Sequence, residues 1–261
     1  TGLTNGQAYI FRVSATNVAG TGVVSTASAA VTPATVPGAP TSVAGTAGNA
    51  QVSLTWTAPA SNGGAAVTDY VVESSPDGTT WTVFADGTST AASATVTGLT
   101  NGTAYTFRVS ATNAAGTGAT SVVSGAVTPR TVPGAPTSVA GTAGNTQVSL
   151  TWTAPVSNGG SAITDYVVEF NDGVSWATFA DGTSTAASAT VTGLTNGTAY
   201  TFRVSATNAA GTGATSVVSA AVTPAAVPGP PTSVAGTAGN TQVSLTWTAP
   251  ADVGGSAITD Y

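Results

Sequence analysis

The amino-acid sequence predicts an all-β protein built of tandem seven-stranded antiparallel β-sandwiches. Three observations carry this: apolar and hydroxyl side chains alternate with a period of two, turn residues recur at short intervals with no helical period, and a domain-sized block repeats almost unchanged. Val36–Thr131 recurs as Val132–Ala226; aligned with one gap opposite Pro76, the blocks share 95 paired positions with 13 differences, so 82 match. The period is 96 residues and then 95, marked by Trp56, Trp152 and Trp247 and by Tyr9, Tyr105 and Tyr200. A repeat of that length is the size of an independent domain, not of a solenoid turn that needs neighbours to bury its face.

Four segments follow from the period: residues 1–35 as a partial sandwich with C-terminal strands, 36–131 and 132–226 as complete sandwiches, and 227–261 as a partial sandwich with N-terminal strands. Thr1 corresponds to Thr97 and Tyr261 to Tyr166, and the two partial segments together lack a counterpart of Val71–Val96. The sequence is therefore expected to be an excerpt from a longer array.

In the first complete repeat the strands are expected in order. Thr41–Thr46 opens the sandwich. In Gln51–Thr57, Val52, Leu54 and Trp56 share one face and Ser53, Thr55 and Thr57 the other, as in a sheet with one buried side. Tyr70 and Val72 fit the core face of a third strand, followed by Thr80–Ala85 and Ser93–Thr97. Thr103–Thr112 points Tyr105, Phe107, Val109 and Ala111 inward and Thr106, Arg108, Ser110 and Thr112 outward; Ser121–Val127 closes the set. Gly48-Asn49, Asn62-Gly63-Gly64, Asp77-Gly78, Asp86-Gly87 and Asn101-Gly102 punctuate these strands with residues that tolerate turn conformations.

At this point specific motifs carry a family resemblance. Val36-Pro-Gly-Ala-Pro40, Val52-Ser-Leu-Thr-Trp56, Gly64 to Glu73 around Thr68-Asp-Tyr-Val-Val, and Gly98-Leu-Thr-Asn-Gly-Thr-Ala-Tyr105 continuing to Asn113-Ala-Ala-Gly116 resemble a fibronectin type III domain, over the whole chain and in the right order. The resemblance implies an immunoglobulin-like sandwich in which Leu99 and Tyr105, with Leu194 and Tyr200 in the second repeat, form a tyrosine corner whose phenol bonds nearby backbone. It implies that Trp56, Trp152 and Trp247 are buried indoles organising their cores, a structural role rather than a binding one.

Composition narrows function. Charged residues are 5% of the chain against 41% apolar, with four arginines, ten acids, neither lysine nor histidine, and a net charge of −6. The apolar content can build cores, which separates the chain from disordered sequences. Nucleic-acid partners call for a basic stripe, and no such stripe is present; no segment reads as membrane-inserting, and none is an apolar span of some 20 residues. With no cysteine, disulfides and thiolate chemistry are excluded. Lacking histidine, lysine and cysteine, the chain has almost no means to assemble a nucleophile and base, and neither catalytic residues, cofactor nor metal is expected.

Few residues remain as candidates. Trp81 and Trp176 could stack on sugar rings or anchor a partner, or cover their own sheet. Phe170, standing where the first repeat has Ser74, is assigned to the outer face and is the expected exposed hydrophobe, a contact for an adjacent sandwich or chain. Arg108 and Arg203 should pair across strands with Glu73 and Glu169, each pair contributing at most about 1 kcal/mol. Asp69, Asp77 and Asp86 lie on separate turns without calcium-loop spacing, so turn chemistry explains them better than metal binding. Asn101-Gly-Thr103 and Asn196-Gly-Thr198 match the N-glycosylation pattern but equally suit the turn before the tyrosine corner.

The connector Val127-Thr-Pro-Arg-Thr-Val-Pro-Gly-Ala-Pro136 and its counterpart Pro224-Ala-Ala-Val-Pro-Gly-Pro-Pro231 fix several φ angles and favour semi-rigid joints. The function expected is a non-catalytic structural array: an extended rod in an extracellular or cell-surface fibre, stalk or adhesin, with identical chains or a surface polysaccharide or protein as partners. The alternatives are a spacer attached to a secreted carbohydrate-active enzyme and a ligand-binding adhesive module.

Overall fold

The computed structural model describes all residues 1–261, without any helix. The chain divides into two compact units, Thr1–Arg130 and Thr131–Tyr261. In the first, β1 (Thr16–Asn17) and β2 (Gly20–Thr21) form a hairpin, and a complete sandwich follows: β3 (Thr41–Gly48), β4 (Gln51–Thr57), β5 (Asp69–Ser75), β6 (Thr82–Phe84), β7 (Ser93–Thr97), β8 (Thr106–Asn113) and β9 (Gly116–Thr120). One sheet has the order β3-β4-β7 and the other β6-β5-β8-β9, all antiparallel.

The second unit repeats the plan with β10 (Thr137–Gly144), β11 (Gln147–Thr153), β12 (Ile163–Asn171), β13 (Trp176–Phe179), β14 (Ser188–Thr192), β15 (Thr201–Asn208) and β16 (Gly211–Thr212), in sheets β10-β11-β14 and β13-β12-β15-β16. It ends with the hairpin of β17 (Thr232–Gly239) and β18 (Gln242–Thr248).

The cores sit between the sheets and follow the alternation. Val52, Leu54, Trp56, Tyr70, Val72, Val96, Phe107, Val109 and Ala111 are buried together. The equivalent set in the second sandwich adds Leu194 and Tyr200. Gly45 lies on the inner face of β3 because Val127 crosses there: a Cβ at position 45 would stand 3.0 Å from Val127 Cγ2 and 2.8 Å from Val52 Cγ1. Trp247 departs from the expected burial. It is 42% exposed, because only β17, β18 and the following loop surround it and the facing sheet contributes no more than Tyr261, at a ring distance of 5.3 Å.

Three other expectations need correction. Tyr105 precedes β8 and pairs with Val127 through an isolated bridge, and Trp81 lies just before the short β6. The segment 121–127 is not a regular strand. Ser121 Oγ accepts the Val109 N–H (3.1 Å) and Ser124 Oγ the Phe107 N–H (3.0 Å), where a regular ladder would use backbone carbonyls. The segment's own N–H groups of Ser121, Ser124 and Val127 donate to Val109, Phe107 and Tyr105 carbonyls, so it advances three residues for every two of its partner. The same arrangement recurs at Ser25, Ser28 and Val31 and at Ser216, Ser219 and Val222.

Phe170 is the third correction. It shares the face of Tyr166 and Val168, so it points inward, packs against the core and meets Tyr200 edge-on at 6.1 Å. It is partly buried rather than an exposed contact. Its bulk has a consequence: Tyr200 and Leu194 are buried to 6% and 4% exposure, whereas Tyr105 and Leu99, in the sandwich that carries Ser74 instead, stay half-buried. The turn after the third strand differs too. In the first sandwich Asp77 Oδ1 accepts from Thr79 N (2.8 Å), Thr80 N (2.7 Å) and Ser75 Oγ (2.9 Å); in the second, one residue shorter, Asn171 Oδ1 accepts the Gly173 N–H.

Replacing Phe170 by Ser, the residue at position 74, is expected to lower the unfolding free energy of the second sandwich by about 2 kcal/mol, less than a fully buried phenylalanine would cost. Urea denaturation of the chain followed by tryptophan fluorescence reads this, and Ser74→Phe is expected to move the first sandwich the other way. The Thr80 and Thr79 amides, with Ser75, hold the Asp77 carboxyl well below the usual carboxylate range. A depressed pKa contributes stability that is present above the unfolded value, about 4, and is lost as pH falls through the folded value. The stability difference between the wild type and Asp77→Asn should therefore shrink as pH drops below about 4, while an NMR titration finds Asp77 still ionised where ordinary aspartates are protonated.

Candidate functional site

The feature that concentrates charge and half-buried aromatic surface is the outer face of the four-stranded sheet. Register places Glu73 opposite Arg108 on β5 and β8, and Glu169 opposite Arg203 on β12 and β15. Each guanidinium binds its carboxylate through two hydrogen bonds: 2.7 and 2.9 Å for Arg108–Glu73, 2.8 and 3.0 Å for Arg203–Glu169. The indoles of Trp81 and Trp176 lie against the guanidinium planes, 4.2 Å from ring centroid to Cζ in both sandwiches. Hydrogen bonding to glutamate raises both arginine pKa values. A bidentate, stacked arginine is held more firmly than a free surface ion pair. Arg, Glu and Trp thus satisfy one another, and one face of each indole is occupied by its own sandwich.

The turn residues are similarly engaged. Asn101 Oδ1 accepts the Ala50 N–H (2.8 Å) and Asn101 Nδ2 donates to Asn49 Oδ1 (2.8 Å); Asn196 makes the same bonds to Thr146 and Asn145. These bonds hold the β3–β4 turn, where Ala50 has φ +53° and Thr146, its counterpart, +56°. The asparagine of the glycosylation pattern is therefore a packing group. Tyr105 Oη accepts the Thr100 N–H (3.2 Å), Tyr200 Oη the Thr195 N–H (3.1 Å) and Tyr9 Oη the Thr4 N–H (2.9 Å). Asp69 accepts the Ser89 N–H and Asp165 the Ser184 N–H, each closing a loop. Nowhere do three acidic side chains converge as metal ligands.

Two concave regions stand out. One is apolar, about 540 Å³, on the uncovered inner face of β17 and β18 with Pro231, Leu245, Trp247 and Tyr261. The other is polar, about 560 Å³, between Thr4–Gln7 and Ser61–Ala66. The first is lined by a single carboxylate, Asp260, beside the Tyr261 phenol, and the second by no titratable side chain.

Sequence reasoning brings Arg108, Glu73 and the tyrosine corners to their places but assigns no role to Asn113 or Asn208, which are buried and bonded to the segment preceding each sandwich. It also misses the Ser ladder, although Ser-x-x-Ser-x-x-Val at constant spacing in three repeats is a readable signal.

Comparison with known proteins agrees with this construction. The family description "Fibronectin type III domain" matches residues 38–126 and 134–222. The chain is 38% identical to chitinase A1 of Niallia circulans over 195 residues, covering 68% of this chain and 25% of that protein. It is 38% identical to endoglucanase B of Cellulomonas fimi over 240 residues, 85% of this chain and 22% of that protein, and 32% identical to myomesin-2 of Homo sapiens over 243 residues, 87% and 16%. A crystal structure of domains A168–A170 from titin is 24% identical with a TM-score of 0.47, covering 85% of this chain and 76% of the other. The chain thus spans a quarter or less of the length of these curated relatives. With two full matches in succession, each over a seven-stranded sandwich with its tyrosine corner, the chain belongs to the fibronectin type III family as a tandem repeat.

Proposed function

We propose that this chain is a non-catalytic spacer: a row of sandwiches that sets distance between the parts of a larger extracellular or cell-surface protein. One observation carries the reading. In both complete sandwiches Glu73, Asp69, Asn101, Arg108 and Tyr105, or their counterparts, are bonded within their own fold, which supports a structural role for them. The outer face of Thr and Ser keeps the surface wet with little charge, and so makes it insensitive to salt.

Similarity to chitinase A1 and endoglucanase B supports a place as an accessory region in a secreted carbohydrate-active enzyme, where polysaccharide would be met by attached domains. A second reading, the shaft of a fibre, stalk or adhesin associating with identical chains, is favoured by near-identity of the two complete repeats, since length alone tolerates unlimited copying. Both readings share the mechanical role. Trp81 and Trp176 are structural partners of arginine in this account rather than ligand platforms.

Small-angle scattering on the purified chain, and on a version with one added copy of 36–131, tests the role. The maximum dimension is expected to increase by one sandwich length per added copy; a compact distance distribution that merely swells overturns it. Binding to insoluble polysaccharide lost on Trp81→Ala and Trp176→Ala would overturn the structural assignment of the two indoles.

A further inference from the structure

The junctions between a partial and a complete sandwich lie inside each unit, and in both the connecting chain has no slack. In the first unit Gly6 N donates to Pro33 O (2.9 Å), tying the end of residues 1–35 to their own turn, while Thr35 N donates to Gly63 O (2.8 Å) of the following sandwich. Only Ala34 lies between. In the second unit Ala225 N donates to Gly144 O (3.1 Å) of the preceding sandwich and the next residue, Ala226, to Gly254 O (2.8 Å) of the following segment. Adjacent residues are thus bonded to successive sandwiches.

The loop that receives the connector is built for close approach. A Cβ on Gly63 would collide with the Thr35 and Val36 carbonyl oxygens, and one on Gly64 with Asn5 and Gly6; Gly254 and Gly255 stand in the same relation to Ala226 and to Asn196–Gly197. Backbone rests on backbone, which only glycine permits. Asn113, 4% exposed at the end of β8, fastens the arrangement: its Nδ2 donates to Thr35 O (2.8 Å) and to Asn62 O (2.7 Å), while Oδ1 accepts the Ala115 N–H (2.8 Å). Asn208 does the same for Thr131 O, Asn158 O and Ala210 N. Two donors and one acceptor are what a primary amide supplies, and a carboxylate supplies no donor.

We propose that Asn113 is a joint-locking residue: it clamps the connecting strand to the glycine loop of the sandwich it leads into, and so fixes the angle at which the preceding turn, Asn5–Gly6, seats on that loop. The prolines restrict the connector, but the amide clasp sets its direction. Releasing the clasp turns the joint into a hinge without unfolding the sandwich. This deepens the spacer reading and rests on it, since a spacer of defined length needs joints of defined angle.

The chain has no cysteine, so two introduced cysteines can carry spin labels at unique sites. With Ala27→Cys and Thr88→Cys in the full chain, both exposed positions, pulsed dipolar spectroscopy is expected to give one narrow distance distribution. Asn113→Asp, which sets an anion against two carbonyl oxygens, is expected to broaden it while circular dichroism and tryptophan fluorescence stay native. Gly64→Asn retains a residue that tolerates left-handed backbone but puts a side chain against Asn5–Gly6, and is expected to shift the mean distance with the clasp intact. A broad distribution in the parent chain, or variants that both superimpose on it, overturns the proposal. Should Asn113→Asp unfold the sandwich, Gly64→Asn decides alone. Compact scattering from the parent chain sinks the spacer reading instead, and is a separate result.

Discussion

Everything else in a sandwich depends on the contact between its two sheets, which are held together by the side chains of their inner faces. At its centre Trp56 from β4 meets Tyr70 from β5 edge-on, at 5.2 Å and 64° between planes, and Trp152 and Tyr166 repeat the geometry. Aromatic pairs favour such an edge-to-face arrangement, and each large side chain so buried contributes on the order of 2 kcal/mol. The indole Nε1 atoms of both tryptophans are buried without an acceptor, a cost of roughly 1–3 kcal/mol that the packing outweighs. With no disulfide to assist, this shared apolar layer is what lets a domain of under a hundred residues fold.

The sequence was most informative where a single physical rule decided. Strand β4 is legible because Val52, Leu54 and Trp56 alternate with hydroxyls, and the Arg108–Glu73 pair because parity on β5 and β8 leaves both on the same outer face. Phe170 shows the sensitivity of that rule, since one step of register decides between core and solvent. Counted from Tyr166 and Val168, position 170 falls inward. The segment after β9 resisted for a different reason: serine looks like any polar strand residue, and nothing in alternation says that its hydroxyl will take an amide from the neighbouring strand. Asn113 was hidden likewise, because its partners, Thr35 O and Asn62 O, lie 78 and 51 residues away.

Neutral groups hold most of this protein together. Asparagine amides, serine and threonine hydroxyls and tyrosine phenols do the work that charged pairs do in other surfaces, and the two Arg–Glu pairs are each supported by a stacked tryptophan. Such bonds are individually modest, near 1 kcal/mol, but they are insensitive to ionic strength. Fixed turns and clasped connectors follow from the same chemistry.

The serine ladder has a consequence for a chain made of near-copies. Neighbouring domains of almost the same sequence, emerging one after another during synthesis, can exchange strands, because each offers the other a correct partner. An exposed edge of regular strand invites that exchange. At Ser121–Val127 three residues advance against two, and the hydroxyls have already taken the amides that an incoming strand would seek. Because Ser216–Val222 repeats the pattern, the mismatch does not tell one copy from the next; what it does is deny a regular strand the even ladder it would need to add at this edge.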